Sequence, residues 1–178
     1  MRQSRQTSFV RYDGAFLDDQ IGWTEALARR GIETQTRIIR HDRIVDGPLA
    51  HDLGLADAVF LALDRVRSTR SGEAISLERS RLPWRKGFGD VLRDGLKEGS
   101  LQRTLAALHI RSIGGSEAVP LARLTAEEVA LLGRSEGDAF LAALRTVRDL
   151  DGAVVGRVDS LLHPDHFKLQ FGFGERPK

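Results

Sequence analysis

Two stretches of this chain resemble each other, and each has the pattern of a β-hairpin that follows a short helix. The first begins at Asp57 and reads DAVFLALDRVRSTRSGEAISLERSRLP; the second begins at Asp138 and reads DAFLAALRTVRDLDGAVVGRVDSLLHP. In each, two strand-like runs flank a turn sequence, at residues 69–73 and at Asp151-Gly152. Two helix-plus-hairpin units predict an α+β fold, an antiparallel β-sheet flanked by helices, with a pocket where the units meet.

The segments around the two hairpins supply the other predicted elements. Helical periodicity and capping signals predict helices over residues 23–30, 48–53, 88–96, 101–109 and 125–132. β-Branched or alternating residues predict strands over residues 34–45 and 112–124, and over a tail that begins at residue 167. Residues 1–12 are polar and basic without a sustained period and are assigned to a linker, so the domain is expected to span residues 13–178.

Composition excludes several classes of function. The chain has no cysteine, which excludes disulfides, thiolate zinc sites and a cysteine nucleophile. Its 27 basic residues nearly balance 25 acidic ones, and the arginines are spread among the acids, so direct DNA binding is not favoured. No apolar stretch approaches the roughly 20 residues that cross a bilayer and no signal peptide is recognised, so we expect a cytoplasmic protein. The motifs of phosphate-loop, dinucleotide-binding, serine-hydrolase and zinc-hydrolase enzymes are absent from the sequence.

Arg65 and Arg67 are the strongest candidates for a binding site. They are two residues apart on a predicted strand, so both side chains leave the sheet on the side of Leu61 and Leu63. Two guanidinium groups beside an apolar face are typical of an anion site. The alternatives are a solvated strand end, or a simple ion pair between one arginine and Glu78 on the partner strand.

Further features suggest additional candidates. Ser100 precedes a helix, where backbone N–H groups and a serine hydroxyl attract anions, although ordinary helix capping explains the same residue. Glu78 and Asp159 align in the two repeats; they could hydrogen-bond the hydroxyl or amine of a ligand, act as acid and base, or simply be surface acids. His163 and His166 have no further metal ligands nearby in sequence, so neither a metal nor another cofactor is predicted.

An ordered set of motifs resembles one protein family. The motifs lie in the runs ALDRVRSTRSGEAISLERSRLP, EGSLQRTLAALHI and LTAEEVALLGRSEGDAFLAALRTVRDLDGAVV. They are an R-V-R strand, a G-x-x-I-x-L-E-R-S-x-L-P strand, a G-S-L helix start and a D-x-D-G hairpin. Over residues 21–171 the chain is similar to the UTRA domain of GntR-type transcription regulators of the HutC subfamily.

The resemblance implies a fold related to chorismate lyase, a small-molecule effector and a homodimer that repositions DNA-binding heads. Residues 6–10 resemble the end of the wing of the family's winged helix-turn-helix domain. We therefore expect residues 1–12 to be a remnant of that wing, and DNA to be contacted only through a domain missing from this chain. The effector contacts implied by the resemblance fall on Arg65, Arg67, Glu78 and Ser100, and on Gly22, Trp23 and Thr24.

Two positions depart from the family pattern. Gln102 replaces the aromatic residue after G-S-L, and Gly156 replaces an acid in the last hairpin, so Asp159 is considered as a substitute for that acid. We predict an effector-sensing and dimerisation domain, not an enzyme, that binds an anionic metabolite such as a sugar phosphate, a phosphonate or an organic or amino acid. Two alternatives stay open: a chorismate-lyase-like enzyme with Glu78 as its acid, and a dimerisation domain whose pocket has degenerated.

Overall fold

The computed structural model describes residues 10–12 and 33–169. The strands in these ranges are β1 Val10–Tyr12, β2 Thr34–Val45, β3 Val59–Thr69, β4 Ala74–Pro83, β5 Gly114–Ala118, β6 Leu121–Arg123, β7 Ala139–Arg148, β8 Val154–Leu162 and β9 Phe167–Leu169. The helices are α1 Gly47–Leu53, α2 Phe88–Asp94, α3 Leu101–Ala107 and α4 Ala126–Leu132, with a 3₁₀ turn at Lys97–Gly99. The helix predicted over residues 23–30 lies outside the described residues, as does the tail beyond residue 169.

The two predicted hairpins, β3–β4 and β7–β8, lie side by side in one sheet. The strand order is β2-β3-β4-β8-β7-β5, and β6 also pairs with β7. Every pairing in this sheet is antiparallel, and the hairpins join where β4 meets β8, with Leu77 opposite Leu161. A separate two-stranded sheet pairs β1 with β9 in parallel. The predicted α+β fold, an antiparallel sheet flanked by helices, is therefore confirmed.

Local signals in the sequence explain where the elements begin and turn. Gly72 and Gly152 occupy the hairpin turns at positive φ, +89° and +77°, which only glycine adopts without strain. A short helix precedes each hairpin, α1 before β3 and α4 before β7. The start of α4 is a capping box, in which the Thr125 hydroxyl accepts from the Glu128 amide and the Glu128 carboxylate accepts from the Thr125 amide.

Three predicted elements are shorter than expected, among them the helix predicted over residues 101–109, which ends at Ala107. The strand predicted over residues 112–124 is divided into β5 and β6, because Pro120 between them has no N–H to donate to a ladder. Its carbonyl instead accepts a hydrogen bond from the Ala142 amide at 2.8 Å. The helix predicted over residues 88–96 ends at Asp94, because Gly95 has a φ of +86° and leaves the helical path.

Helices cover both sides of the sheet. We call the side of β3 that carries Leu61, Leu63, Arg65 and Arg67 the front face, and the other side the back face. On the front face, α2 and α3 complete an apolar cluster of Leu61, Leu63, Leu82, Phe88, Val91 and Leu101. On the back face, α4 packs on one end of the sheet and α1 on the other, the latter around Phe60. Among the described residues, no helix is long and apolar enough to span a membrane.

Candidate functional site

The front face becomes polar beyond the apolar cluster, toward the turn between β3 and β4. Arg65 lies opposite Glu78, and Arg67 lies opposite Ser76. On the other side of β4, Glu78 lies opposite Ser160 of β8. Residues that oppose each other in an antiparallel ladder project from the same face, so these five side chains share the front face. The sequence prediction that Arg65 and Arg67 accompany Leu61 and Leu63 on one face is confirmed.

Glu78 is held by two donors that reach the same oxygen. Arg65 Nη2 donates to Glu78 Oε1, and Ser80 Oγ donates to that atom at 3.0 Å. The side chains of Arg65 and Glu78 are 12% and 7% exposed, so the ion pair is largely withdrawn from water. The second carboxylate oxygen, Oε2, accepts no hydrogen bond from the described residues. The ion pair considered as an alternative therefore exists, but it accounts for only one of the two arginines.

Arg67 is buried without a partner among the described residues. It is 6% exposed, it makes no hydrogen bond or ion pair with any of them, and its Nε–H donor is unsatisfied. Burial lowers the pKa of Arg67, and the Arg65 charge adds to this, while Glu78 opposes it. Guanidinium nonetheless stays protonated in proteins, so Arg67 is a buried cation that shares the Glu78 carboxylate with Arg65.

The charge state of Glu78 follows from the same neighbours. Burial on its own raises the pKa of Glu78, because a carboxylate loses hydration when it is withdrawn from water. The charges of Arg65 and Arg67, together with the hydrogen bonds from Arg65 and Ser80, outweigh that effect and hold the pKa below its usual range. Glu78 is therefore ionised at neutral pH and acts as an acceptor.

Unsatisfied polar atoms concentrate on the front face. In the described residues, six buried side-chain N or O atoms lack a hydrogen-bond partner. One is Arg134 Nε, and the other five belong to front-face residues: Thr34 Oγ1, His41 Nε2, Arg65 Nε, Arg67 Nε and Ser76 Oγ. Such groups are uncommon in folded proteins, because each has lost its water without gaining a partner. We call Thr34, His41, Arg65, Arg67, Ser76, Glu78 and Ser80 the polar strip.

Ser100 and Gln102 lie at the start of α3. Leu101 between them is buried in the front-face cluster, which places this helix end over the same side of the sheet. The Ser100 hydroxyl accepts from the Arg103 amide at 3.3 Å, and the Ser100 carbonyl accepts from Thr104 Oγ1 at 2.7 Å. Ser100 thus performs ordinary helix capping. Gln102 is exposed, and neither residue forms a hydrogen bond with Arg65 or Arg67.

Asp159 does not join Glu78. The repeat alignment puts the two acids level, but the register places Ser160 opposite Glu78 and Asp159 opposite Arg79. Since neighbouring residues of a strand alternate between faces, Asp159 lies on the back face, where it accepts from Arg157 Nε at 2.5 Å. Gly156 is buried close to β4, and a Cβ there would lie 3.3 Å from the Arg81 carbonyl oxygen.

Other predicted residues lie apart from the strip. Gly22, Trp23 and Thr24 lie outside the described residues, so their relation to the strip stays a prediction. His166 Nε2 lies 3.3 Å from Glu73 Oε2, at the turn that follows β8. Residues 33–169 and 10–12 contain no group of three His, Cys, Asp or Glu side chains that could hold a metal ion.

Sequence reasoning missed four residues of the strip. Ser76 and Ser80 flank Glu78 at the two-residue period of a strand, so the pattern S-x-E-x-S could have revealed a polar line facing the arginines. His41 and Thr34 gave no such signal. They join the strip only because β2 pairs with β3, which puts His41 opposite Leu63 and Thr34 opposite Thr69.

Comparisons with known proteins give one family match and several similar folds. A family model described as the UTRA domain matches residues 29–168. The effector domain of PhnF from Mycobacterium smegmatis is similar in fold, with a TM-score of 0.75 and 23% identity over 88% of this chain and 97% of that one. The ligand-binding domain of a predicted GntR-family transcriptional regulator from Bordetella bronchiseptica gives a TM-score of 0.65 and 16% identity, covering 80% and 90% of the two chains.

A third structure, the C-terminal domain of Yurk from Bacillus subtilis, gives a TM-score of 0.62 and 16% identity over 75% of this chain and 92% of that one. Among curated protein sequences, none gives a significant match. Identities this low establish the fold, whereas the family model covers more than half of the chain and agrees with the motifs along it. The chain belongs to the UTRA domain family.

Proposed function

We propose that this chain is the effector-sensing domain of a GntR-type transcription regulator of the HutC subfamily, and that an anionic metabolite binds at the polar strip. The observation that carries the proposal is Arg67, a buried cation with no partner among the described residues. Withdrawing one ion from water costs several kcal/mol of folding free energy, and the Glu78 carboxylate, which is already bonded to Arg65, offsets this cost for Arg67 only in part. A bound anion would supply the missing partner, and charge-assisted hydrogen bonds to guanidinium are among the strongest in proteins.

The strip argues against a degenerate pocket. A dimerisation domain that had lost its ligand would gain stability by replacing unsatisfied polar residues with apolar ones. Instead, Arg67 Nε and Ser76 Oγ lie on opposed residues of β3 and β4, both buried and both unpaired. Polar atoms kept in that state favour a site that is completed by a ligand.

The strip also argues against a chorismate-lyase-like enzyme. Its one carboxylate, Glu78, is the candidate acid, and its pKa is held below the usual range by two arginines and Ser80. A general acid works best when its pKa lies near the working pH, so a carboxyl group shifted downward is poorly suited to donate a proton. The direct test is pyruvate release from chorismate: sustained release that is lost in Glu78→Gln would overturn the sensor proposal.

The remaining parts of the proposal come from the family and from its neighbours. Structures similar in fold are described as an effector domain and a ligand-binding domain, which supports a ligand for this chain too. We extend this to a cytoplasmic homodimer whose contact with DNA is made by a winged-helix domain and not by the residues of this sheet. Sugar phosphates, phosphonates and organic or amino acids are the candidate effectors, and Gly22, Trp23, Thr24, Ser100 and Gln102 are candidate contacts around the strip.

The proposal is tested by a thermal-shift screen of the purified chain against these four ligand classes. A ligand that binds only the native state raises the melting temperature, by an amount that grows with its concentration over Kd. The shift should vanish in Arg67→Ala and persist in Arg70→Ala, because Arg70 is an exposed arginine whose side chain is 81% accessible. A shift that survives Arg67→Ala would place the ligand elsewhere and contradict the proposal.

A further inference from the structure

The polar strip carries an uneven number of charges. Arg65 and Arg67 bring two positive charges and Glu78 brings one negative charge, so one positive charge is left without a counterpart. Glu78 is held ionised by both arginines, which keep its pKa low. A ligand with a single negative charge would therefore bring this buried site to neutrality.

Neighbouring charged groups do not change this count. On the same face, Arg145 of β7 is bonded to Glu117 of β5, with Nε donating to Oε1 at 3.1 Å. Arg43 lies over the ring of Trp84, at 4.8 Å from its centroid, beside the apolar cluster. The arginines of α2 and α3 are exposed and paired with local acids: Arg93 with Asp90 and Asp94, and Arg103 with Glu98. His41 is the other titratable member of the strip.

The unsatisfied atoms also indicate what stands beside the negative group. Arg67 Nε, Arg65 Nε and Ser76 Oγ can all donate to an anion. Glu78 Oε2, which has no partner among the described residues, can only accept. Donors for an anion and an acceptor for a hydroxyl thus lie on adjacent strands of one face.

We infer that the site selects a ligand with one negative charge and a hydroxyl beside its anionic group, and that Glu78 excludes dianions. This inference rests on the proposed function and adds the charge and the neighbouring group of the ligand. A second negative charge would lie close to Glu78 in a poorly hydrated site, where like charges repel strongly. Replacing one monoanion by a dianion of similar size should weaken binding by at least about tenfold.

Three small carboxylates provide the test: glycolate, a monoanion with a hydroxyl; acetate, a monoanion without one; and malonate, a dianion. Binding is followed by NMR through the Nε–H signal of Arg67, which is buried and reports on the site directly. Titrations are run at constant ionic strength and at about pH 8, above the ordinary range of imidazole pKa values. The expected order of affinity is glycolate, then acetate, then malonate.

Two variants test whether charge sets that order. Glu78→Gln removes the negative charge and raises the net charge of the strip to two positive charges. Malonate, with two negative charges, should then become the preferred probe. The double variant Arg65→Gln, Glu78→Gln returns the charge of the strip to one, that of Arg67, so the preference for monoanions should return. If Glu78→Gln does not fold, the wild-type order and the double variant still decide. Arg70→Gln, at the exposed hairpin turn, should behave as the wild type.

The outcomes separate this inference from the proposed function. Malonate binding to the wild type as tightly as glycolate, or an order unchanged by Glu78→Gln, would overturn the charge rule while leaving an anion site in place. If none of the three probes changes the Arg67 signal, the anion site itself is overturned.

Discussion

Arg67 gives the sharpest test of the structure, because its replacement by an apolar residue should leave the empty protein at least as stable as the wild type. Methionine has a similar length, no charge and a flexible thioether that fills irregular space, so Arg67→Met deletes an unpaired buried cation without opening a large cavity. Glu78 keeps its hydrogen bonds from Arg65 and Ser80 in this variant. Replacing buried charges by apolar residues of similar volume is often neutral or stabilising by about 1–4 kcal/mol.

For a domain of this size, each kcal/mol changes the melting temperature by about 2–4 °C. Differential scanning calorimetry of Arg67→Met should therefore show a melting temperature equal to that of the wild type or several degrees higher. Urea unfolding should give the same sign with an unchanged m-value. The same variant should lose any ligand-dependent rise in melting temperature, so stability and binding move in opposite directions.

Arg65→Met is the matched comparison. It removes the main partner of a buried carboxylate, and breaking a buried pair in this way costs about 3–5 kcal/mol. Arg70→Met, at an exposed position, should change stability by less than about 0.5 kcal/mol. If Arg67→Met were as destabilising as Arg65→Met, Arg67 would be needed to balance Glu78 in the empty protein, and the case for a cation awaiting a ligand would fail.

Three further predictions concern the strip and its scaffold. Because Glu78 has a lower pKa in the folded chain than in the unfolded chain, its stabilising effect is present above the usual glutamate range, near pH 4.3, and is lost as the pH falls; Glu78→Gln should flatten the acid side of a stability-against-pH curve. Thr125→Ala removes the capping box of α4 and should cost about 1 kcal/mol in urea unfolding, whereas Thr125→Ser should retain most of it. Gly115→Ala should cost about 1–3 kcal/mol and expose the amides of β5 to hydrogen exchange, because a Cβ there would lie 2.0 Å from the Thr146 carbonyl oxygen; normal protection would contradict the close approach of β5 to β7.

Much of the fold could be predicted because its signals are local. The hairpin turns depend on Gly72 and Asp151-Gly152, and the start of α4 depends on Thr125 and Glu128, all close together in sequence. The division of residues 112–124 into two strands was missed although Pro120 marks it. Proline removes one ladder donor whatever its neighbours are. Pro120 therefore predicts a break in the strand even where the surrounding residues favour one.

The site could be predicted only in part, because its decisive property is an absence of partners. Alternation along β3 is enough to put Arg65 and Arg67 on one face. It cannot show that the Glu78 carboxylate accepts a hydrogen bond from Arg65 and none from Arg67, since that depends on the register of β3 against β4. The same register, continued into β8, puts Asp159 on the back face, which an alignment with gaps near the turns could not foresee.

The parallel pairing of β1 with β9 has a mechanical consequence. Phe167 of β9 is anchored in an apolar cluster with Ile75 and Leu162, and only the turn of residues 163–166 separates it from the end of β8. Its strand is joined to Val10–Tyr12 by a ladder only three residues long. The turn and the three-residue ladder thus form a short connection from the end of β8 to residue 10, and so few hydrogen bonds can open and re-form at little cost in free energy.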